Sequence, residues 1–264
     1  MPRRYATDCA RGPRPLNFGA PMSLLRHLPN TLTCLNLVCG SVAVVMAVDG
    51  SLVWAAYLVL AAAAFDFADG FAARALKVQS AIGKELDSLA DMVTFGLVPG
   101  IVLMRLMADE LGEESLTAEA LYSQPLLLVP LLMPVFSALR LAKFNIDTRQ
   151  TEGFIGVPTP ASALWVISVP LIQTGANGVA GVPQYGFLYY LLTSLILPIL
   201  MVSNVPLMAL KFKHLGWRGN EFKLSLIIVA LVLLGIIGWL AIPATLTIYL
   251  LLSIIQNAIN RKRR

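Results

Sequence analysis

Four aspartates stand at helical spacing inside an otherwise apolar chain, Asp66 and Asp69 three residues apart, Asp87 and Asp91 four apart. On helices, each pair shares one face. An ionisable group at membrane depth costs at least about 2.5 kcal/mol, so four of them in one stretch are not idle. Gathered at one point, four carboxylates repel one another unless a divalent cation neutralises them. A donor set made only of oxygen favours hard Mg²⁺, Mn²⁺ or Ca²⁺ over zinc. Magnesium typically keeps one or two protein carboxylates and takes its remaining ligands from substrate phosphate and water, so the pattern points to a phosphorylated substrate. Four carboxylates over-neutralise a single ion, which makes two ions the expectation.

The residues between the pairs fit that chemistry. Gly70 and Ala73 clear space beside Asp69, and Arg74 follows Gly70 by one helical turn, offering a cation to a phosphate. Ser80 and the turn-compatible Gly83 continue the connection, letting two helices fold back and bring the pairs together. A purely structural reading would pair the aspartates with Arg74, Lys77 and Lys84. Four carboxylates with glycines between them favour the cation site instead. A divalent cation transporter with intramembrane carboxylates is the remote alternative, and it gives no reason for Gly70, Ala73, Arg74 and Gly83.

These groups must be positioned by membrane helices. The 264 residues are 57% hydrophobic and only 13% charged, with mean hydropathy +0.74, where a soluble domain carries about a quarter charged residues. The expected fold is an all-α polytopic membrane protein of about eight spans (six or seven if the last ones are re-entrant), a six-helix catalytic core plus two C-terminal helices. The spans fall near 31–48, 52–76, 88–108, 125–144, 160–176, 185–205, 222–240 and 242–258. The second and third carry the aspartates at their ends, and the last two turn through Ala241–Pro243. Residues 1–21 read as a disordered tail and 22–258 as one transmembrane catalytic domain. Residues 259–264 read as a basic cytoplasmic tail. Met22 opens an amphipathic interfacial piece, MSLLRHLPN, and is a candidate start of the organised chain. No secretory signal is read at the start.

The net charge of +5 does not indicate nucleic acid, because its distribution follows membrane orientation. Arg26, Arg74, Lys77, Lys84, Arg140, Lys143, Arg149, Lys211, Lys213, Arg218, Lys223 and the terminal RKRR fall on one side of the eight spans. The other side holds Arg105 beside an acidic loop, Asp109 to Glu119. Both termini and the aspartates are therefore expected in the cytoplasm. Cys9, Cys34 and Cys39 have neither disulfide nor zinc spacing.

Asp66-x2-Asp69-Gly70-x2-Ala73-Arg74-x8-Gly83-x3-Asp87-x3-Asp91 resembles the complete signature of the CDP-alcohol phosphotransferases. The resemblance implies an integral membrane enzyme that displaces CMP from a CDP-linked lipid with an alcohol. It implies that Asp66, Asp69 and Asp87 bind metal and that Asp91 binds metal and accepts the proton. It also implies CDP-lipid contacts from Asn30, Thr33, Gly70, Ala73, Arg74, Ser80 and Gly83, and a homodimer in a bacterial inner (plasma) membrane. Taken alone, Asn30 and Thr33 read equally well as caps of the first span.

Three further motifs are similar to the phosphatidylserine synthase branch. They are Pro29-Asn30-x-Leu32-Thr33-x2-Asn36 with Gly40, then Asp87-Ser-Leu-Ala-Asp91 through Phe95-Gly96 to Pro99, and Arg140-Leu-Ala-Lys143-Phe144-Asn145 with Gly156-Val-Pro158-Thr-Pro160-Ala-Ser162. This likeness implies CDP-diacylglycerol and L-serine as substrates. Glycerol phosphate, inositol phosphate and choline are the alternative acceptors. Lys143 stands where the branch often has arginine; it keeps the charge and loses the bidentate geometry. Arg140 and Lys143 are candidates for holding the serine carboxylate or the lipid phosphate, or else are headgroup anchors. Pro158 and Pro160 break the backbone before the fifth span, and Gly153 and Gly156 read as loop flexibility.

Overall fold

A computed structural model of the chain describes residues 27–78, 80–146, 154–174, 185–203, 205–207 and 221–262. Its helices are α1 (Leu28–Val48), α2 (Leu52–Ala75), α3 (Ala81–Asp91), α4 (Val98–Glu110), α5 (Ala118–Ser123), α6 (Leu132–Ile146), α7 (Thr159–Gln173), α8 (Phe187–Val202), α9 (Glu221–Ile237) and α10 (Ala241–Lys262). Five helical stretches are long and apolar enough to cross a membrane: Leu28–Val48, Leu52–Ala75, Ala81–Glu110, Pro125–Ile146 and Ile228–Ser253. The shorter α7 and α8 are also apolar. The chain is a polytopic helical membrane protein.

The third of these stretches is the centre of the fold. Two-thirds of its spanning window (67%) is buried, against 28% for α1 and 33% for α2. It joins α3 to α4 through a π-helical turn, Met92–Leu97. A π turn needs a local reason, and close packing supplies one here. Gly96 lies so near α6 that a side chain on it would collide with Ser137. The aspartates accordingly sit within continuous helix, Asp91 at the junction of α3 with the π turn, and Asp87 falls inside the third stretch because that begins at Ala81 and not near 88. Asp87 and Asp91 lie six and ten residues into α3, and Asp69 and Asp66 six and nine residues from the end of α2. That is roughly one and a half to three turns of depth.

The two arms of this site are held by packing and by one tight reversal. The buried face of α1 is Pro29, Thr33, Asn36, Gly40, Ala43 and Ala47, a stripe at alternating spacings of four and three. The helices α1 and α2 form the most extensive helix pair of the fold, and the buried residues of α2 include the small Ala55, Ala56, Val59 and Ala62. Small residues let the backbones approach where lipid offers no hydrophobic drive. The helix α2 ends in a Schellman cap: the Val78 amide donates to the Ala73 carbonyl at 3.1 Å and the Lys77 amide to Arg74 at 3.3 Å. Lys77 takes the left-handed position (φ 54°) that glycine usually fills. Ser80 then caps α3, accepting from the Gly83 amide at 3.0 Å.

Elsewhere the structure revises the boundaries. The first span begins at Leu28, so Leu28–Asn30 belong to it and not to an interfacial piece; residues 22–26 and the tail 1–21 lie outside the described residues. Its capping position is His27, so Asn30 and Thr33 are not caps. The turn between the last two spans is taken at Gly238 (φ 55°) and not at Ala241–Pro243. Pro243 sits in the first turn of α10, where its missing N–H is not needed. The helix α10 runs on to Lys262 into the expected tail. Gly156 is not a flexible link: at φ 75° it is pinned, its amide donating to Val205 at 3.0 Å. It adjoins a two-residue antiparallel pairing of β1 (Phe154–Ile155) with β2 (Pro206–Leu207). Gly153 lies outside the described residues.

Gly156 and Lys77 make opposite predictions. Gly156→Ala places a Cβ against the Met201 carbonyl in a left-handed conformation, and is expected to destabilise by at least about 1–2 kcal/mol. Lys77→Gly relieves the same conformational penalty and is expected to stabilise by up to about 1 kcal/mol. Thermal unfolding midpoints in detergent check both signs.

Candidate functional site

The fold gathers the two aspartate pairs. Asp66, Asp69 and Asp87 each present a carboxylate oxygen within 4.8 Å of the others. Asp91 stands one step deeper, in hydrogen-bonding range of Asp66 and only 8% exposed. Among the described residues, neither Arg74, Lys77 nor Lys84 makes an ion pair with any of the four; the ion pair found is Arg105–Asp109, 2.7 Å, near Gly50 at the far end of the bundle. Among the described residues none of the four is locked in an ion pair, although Arg74 and Arg140 lie within electrostatic reach of Asp69 and Asp91. The all-oxygen donor set of the carboxylates and their mutual distances fit a hard divalent cation.

Partners from other helices fix the cluster. Thr33 Oγ1 of α1 lies 2.5 Å from Asp69 Oδ2 and 3.0 Å from the Pro29 carbonyl. Asn36, also on α1, donates from Nδ2 to Asp91 Oδ1 at 3.4 Å. Arg140 of α6 is buried, 8% exposed, and its guanidinium lies in the electrostatic reach of Asp91. Its Nε has no hydrogen-bond partner, and the same holds for the buried hydroxyls of Ser137, Thr159 and Ser162 on α6 and α7. Lys143, one turn further along α6, is exposed. The structure thus separates the two basic residues, bringing Arg140 to the site and leaving Lys143 at the surface.

A cavity of about 550 Å³ opens onto Asp69 and Asp87. Asn30, Thr33, Gly70, Ala73, Ser80 and Gly83 line it, as do Lys84 and Pro29. Its volume lies within the range of small-molecule sites. Arg74 is exposed and does not line it, but its guanidinium covers Gly70 from outside. Ser80 enters the lining with its oxygen already engaged as the cap of α3. Lys84 reaches from the lining to the Asn145 carbonyl at 2.9 Å, and Asn145 Nδ2 donates to Ser88 Oγ at 2.9 Å, tying α3 to the end of α6. On the outer faces of α2 and α3, Phe67, Phe71, Ile82 and Leu89 are exposed.

Sequence reasoning assigned no role to Asn36 or Lys84. The signal for Asn36 was its place three residues after Thr33, on the same face of α1. Lys84 carried no signal beyond its charge.

The sequence model of the CDP-alcohol phosphatidyltransferase family matches residues 26–251, and the chain belongs to that family. Among its relatives, the CDP-diacylglycerol–serine O-phosphatidyltransferase of Helicobacter pylori is 30% identical over 89% of this chain and 93% of the relative. The enzyme of the same name from Bacillus subtilis is 32% identical over 54% of this chain and 75% of the relative. The archaetidylserine synthase of Methanothermobacter thermautotrophicus is 32% identical over 53% of this chain and 56% of the relative.

The different settings of the two basic residues give a direct prediction. Arg140→Ala is expected to lower turnover on the order of a hundredfold, as loss of a preorganised charge at an active centre does. Lys143→Ala is expected to stay within about twofold, as exposed substitutions do. Turnover measured as CMP release from CDP-diacylglycerol separates the two.

Proposed function

We propose that the protein transfers the phosphatidyl group of CDP-diacylglycerol to the hydroxyl of L-serine, giving phosphatidylserine and CMP. The observation that carries this reading is the cluster of carboxylates not locked in ion pairs among the described residues, with Asp69 and Asp87 opening onto a cavity of about 550 Å³ in a chain of this family. The names of the relatives support serine as the acceptor. So does the placement of a buried cation, Arg140, beside Asp91, since serine brings a carboxylate to the site.

In this reading, Asp66, Asp69 and Asp87 hold divalent metal, Mg²⁺ or Mn²⁺, with Asp91 as a further ligand and two ions in all. Bound metal neutralises charge on the transferring phosphoryl group and on departing CMP. Asn30, Thr33, Gly70, Ala73, Ser80 and Gly83 receive the CDP portion, and Arg74 meets it from outside. Asp91 takes the proton of the serine hydroxyl. The serine oxygen forms a bond to the lipid-side phosphorus, the bond from that phosphorus to the bridging oxygen breaks, and CMP leaves with the electron pair. Arg140 orients the serine carboxylate, and the unpaired hydroxyls of Ser137, Thr159 and Ser162 supply polar contacts around it. Lys143 is left to the headgroup region. Among the described residues, Arg74, Lys77, Lys84, Arg140 and Lys143 at this end, against Arg105 at the other, support a cytoplasmic site, where serine arrives and CMP leaves.

The decisive assay offers CDP-diacylglycerol with labelled serine, glycerol phosphate, inositol phosphate or choline. Serine alone is expected to give labelled lipid; preference for another alcohol would move the protein to a different acceptor class. Asp91→Asn is expected to lose about 10²–10⁴-fold in turnover while still binding CDP-lipid. EDTA is expected to silence the enzyme, with activity restored by Mg²⁺ or Mn²⁺; activity indifferent to chelation would refute the metal reading.

A further inference from the structure

Asn36 is fully buried, 0% exposed, on an apolar helix, and the proposed function gives it no part. Its amide is only half used. Nδ2 donates to Asp91 Oδ1 at 3.4 Å, whereas Oδ1 is buried without a partner among the described residues. A side chain kept only for packing would not leave a polar atom unpaired. Leucine would fill the same volume with nothing to desolvate. The part of the amide that is used has a single acceptor, the carboxylate of Asp91.

The backbone around this contact is also fixed. Thr94, on the π turn three residues past Asp91, donates from Oγ1 to the Asn36 carbonyl at 3.3 Å. One turn along α1, Gly40 lies so close to Thr94 that a Cβ there would fall on the threonine hydroxyl. Helix α1 and the π turn thus meet in backbone contact beside Asp91, leaving the Asn36 amide little freedom.

We infer that Asn36 is a positioning residue for Asp91. Its amide holds one carboxylate oxygen and so fixes the direction in which the other presents its lone pairs. An amide donates this hydrogen bond without bringing a charge, whereas a cationic donor would lower the basicity of the Asp91 carboxylate and repel a divalent cation. The inference rests on the reading of Asp91 as the proton acceptor and deepens it.

The test is CMP release by the full chain in mixed micelles of detergent and CDP-diacylglycerol with L-serine. It compares Asn36→Leu, Asn36→Asp and Asp91→Asn, with the thermal midpoint of each. Asn36→Leu is expected to melt at or above the parent, to hold KM for CDP-diacylglycerol within about twofold, and to lose roughly 10- to 100-fold in kcat, the usual effect of removing an outer-shell partner. Asn36→Asp keeps the shape but replaces the neutral donor with a fifth carboxylate, and is expected to lose at least as much. In an Asp91→Asn background, followed by single-turnover release, Asn36→Leu is expected to change the rate no further. Parent-like kcat in either single variant overturns the inference, as does full additivity with Asp91→Asn. If Asn36→Leu does not fold, Asn36→Asp decides by the same criterion. Turnover surviving in Asp91→Asn would remove the proton-acceptor reading itself, a result distinct from any that the Asn36 variants give.

Discussion

Mutual repulsion among four carboxylates is the constraint on which the rest of this structure depends. Asp66, Asp69 and Asp87 crowd within 4.8 Å of one another, with Asp91 close behind, one and a half to three turns inside their helices. Nothing in an isolated helix pair would keep them there. The small-residue seam of α1 on α2, the Schellman reversal at Lys77 and the Ser80 cap hold the two arms together against that repulsion. Lys77 is itself held in an unfavourable conformation, strain of the kind expected where surrounding packing over-determines a functional turn.

The central helix sets the second half of the geometry. The π turn inserts an irregularity directly after Asp91, and Gly96 and Gly40 let α6 and α1 close on it from different sides. Asp91 therefore faces Asn36 from one helix and Arg140 from another, while Asp69 and Asp87 open to the cavity. Two environments result within one cluster, one wet and reached by ligand, the other nearly closed. In the proposed function, that difference lets groups of one chemical type hold different roles.

Much of this was legible in the sequence, for reasons that also mark its limits. Spacings of three and four put each aspartate pair on one face, because helical periodicity is local. The apolar runs located most helices to within a few residues, but the third stretch begins at Ala81 and not near 88, and five stretches, not eight, are long and apolar enough to cross among the described residues. Gly70, Ala73 and Gly83 marked the open side of the site. The separation of Arg140 from Lys143 was not legible: three residues place them about 60° apart on the helix, and only packing decides that the surface boundary falls between them. The π turn was equally hidden, since its residues have no distinctive pattern and the close approach of Gly96 to α6 is a tertiary contact. Asn30 and Thr33 looked like caps because short polar residues open helices. The helix begins instead at Leu28, so both fall within it and point to the cavity and Asp69.

Phe67, Phe71, Ile82 and Leu89 stand exposed on the flanks of the helices that carry the aspartates. An apolar wall at the edge of a polar cavity suits a ligand whose tails never leave the bilayer. Encounter with such a ligand is a search in two dimensions, so its effective concentration is a mole fraction in the surface and not a molarity in solution. Diluting the membrane with inert lipid then slows the reaction even when the total amount of donor is unchanged, while a water-borne acceptor obeys ordinary bulk saturation. One site would thus answer to two concentration scales at once, through residues that touch no polar atom.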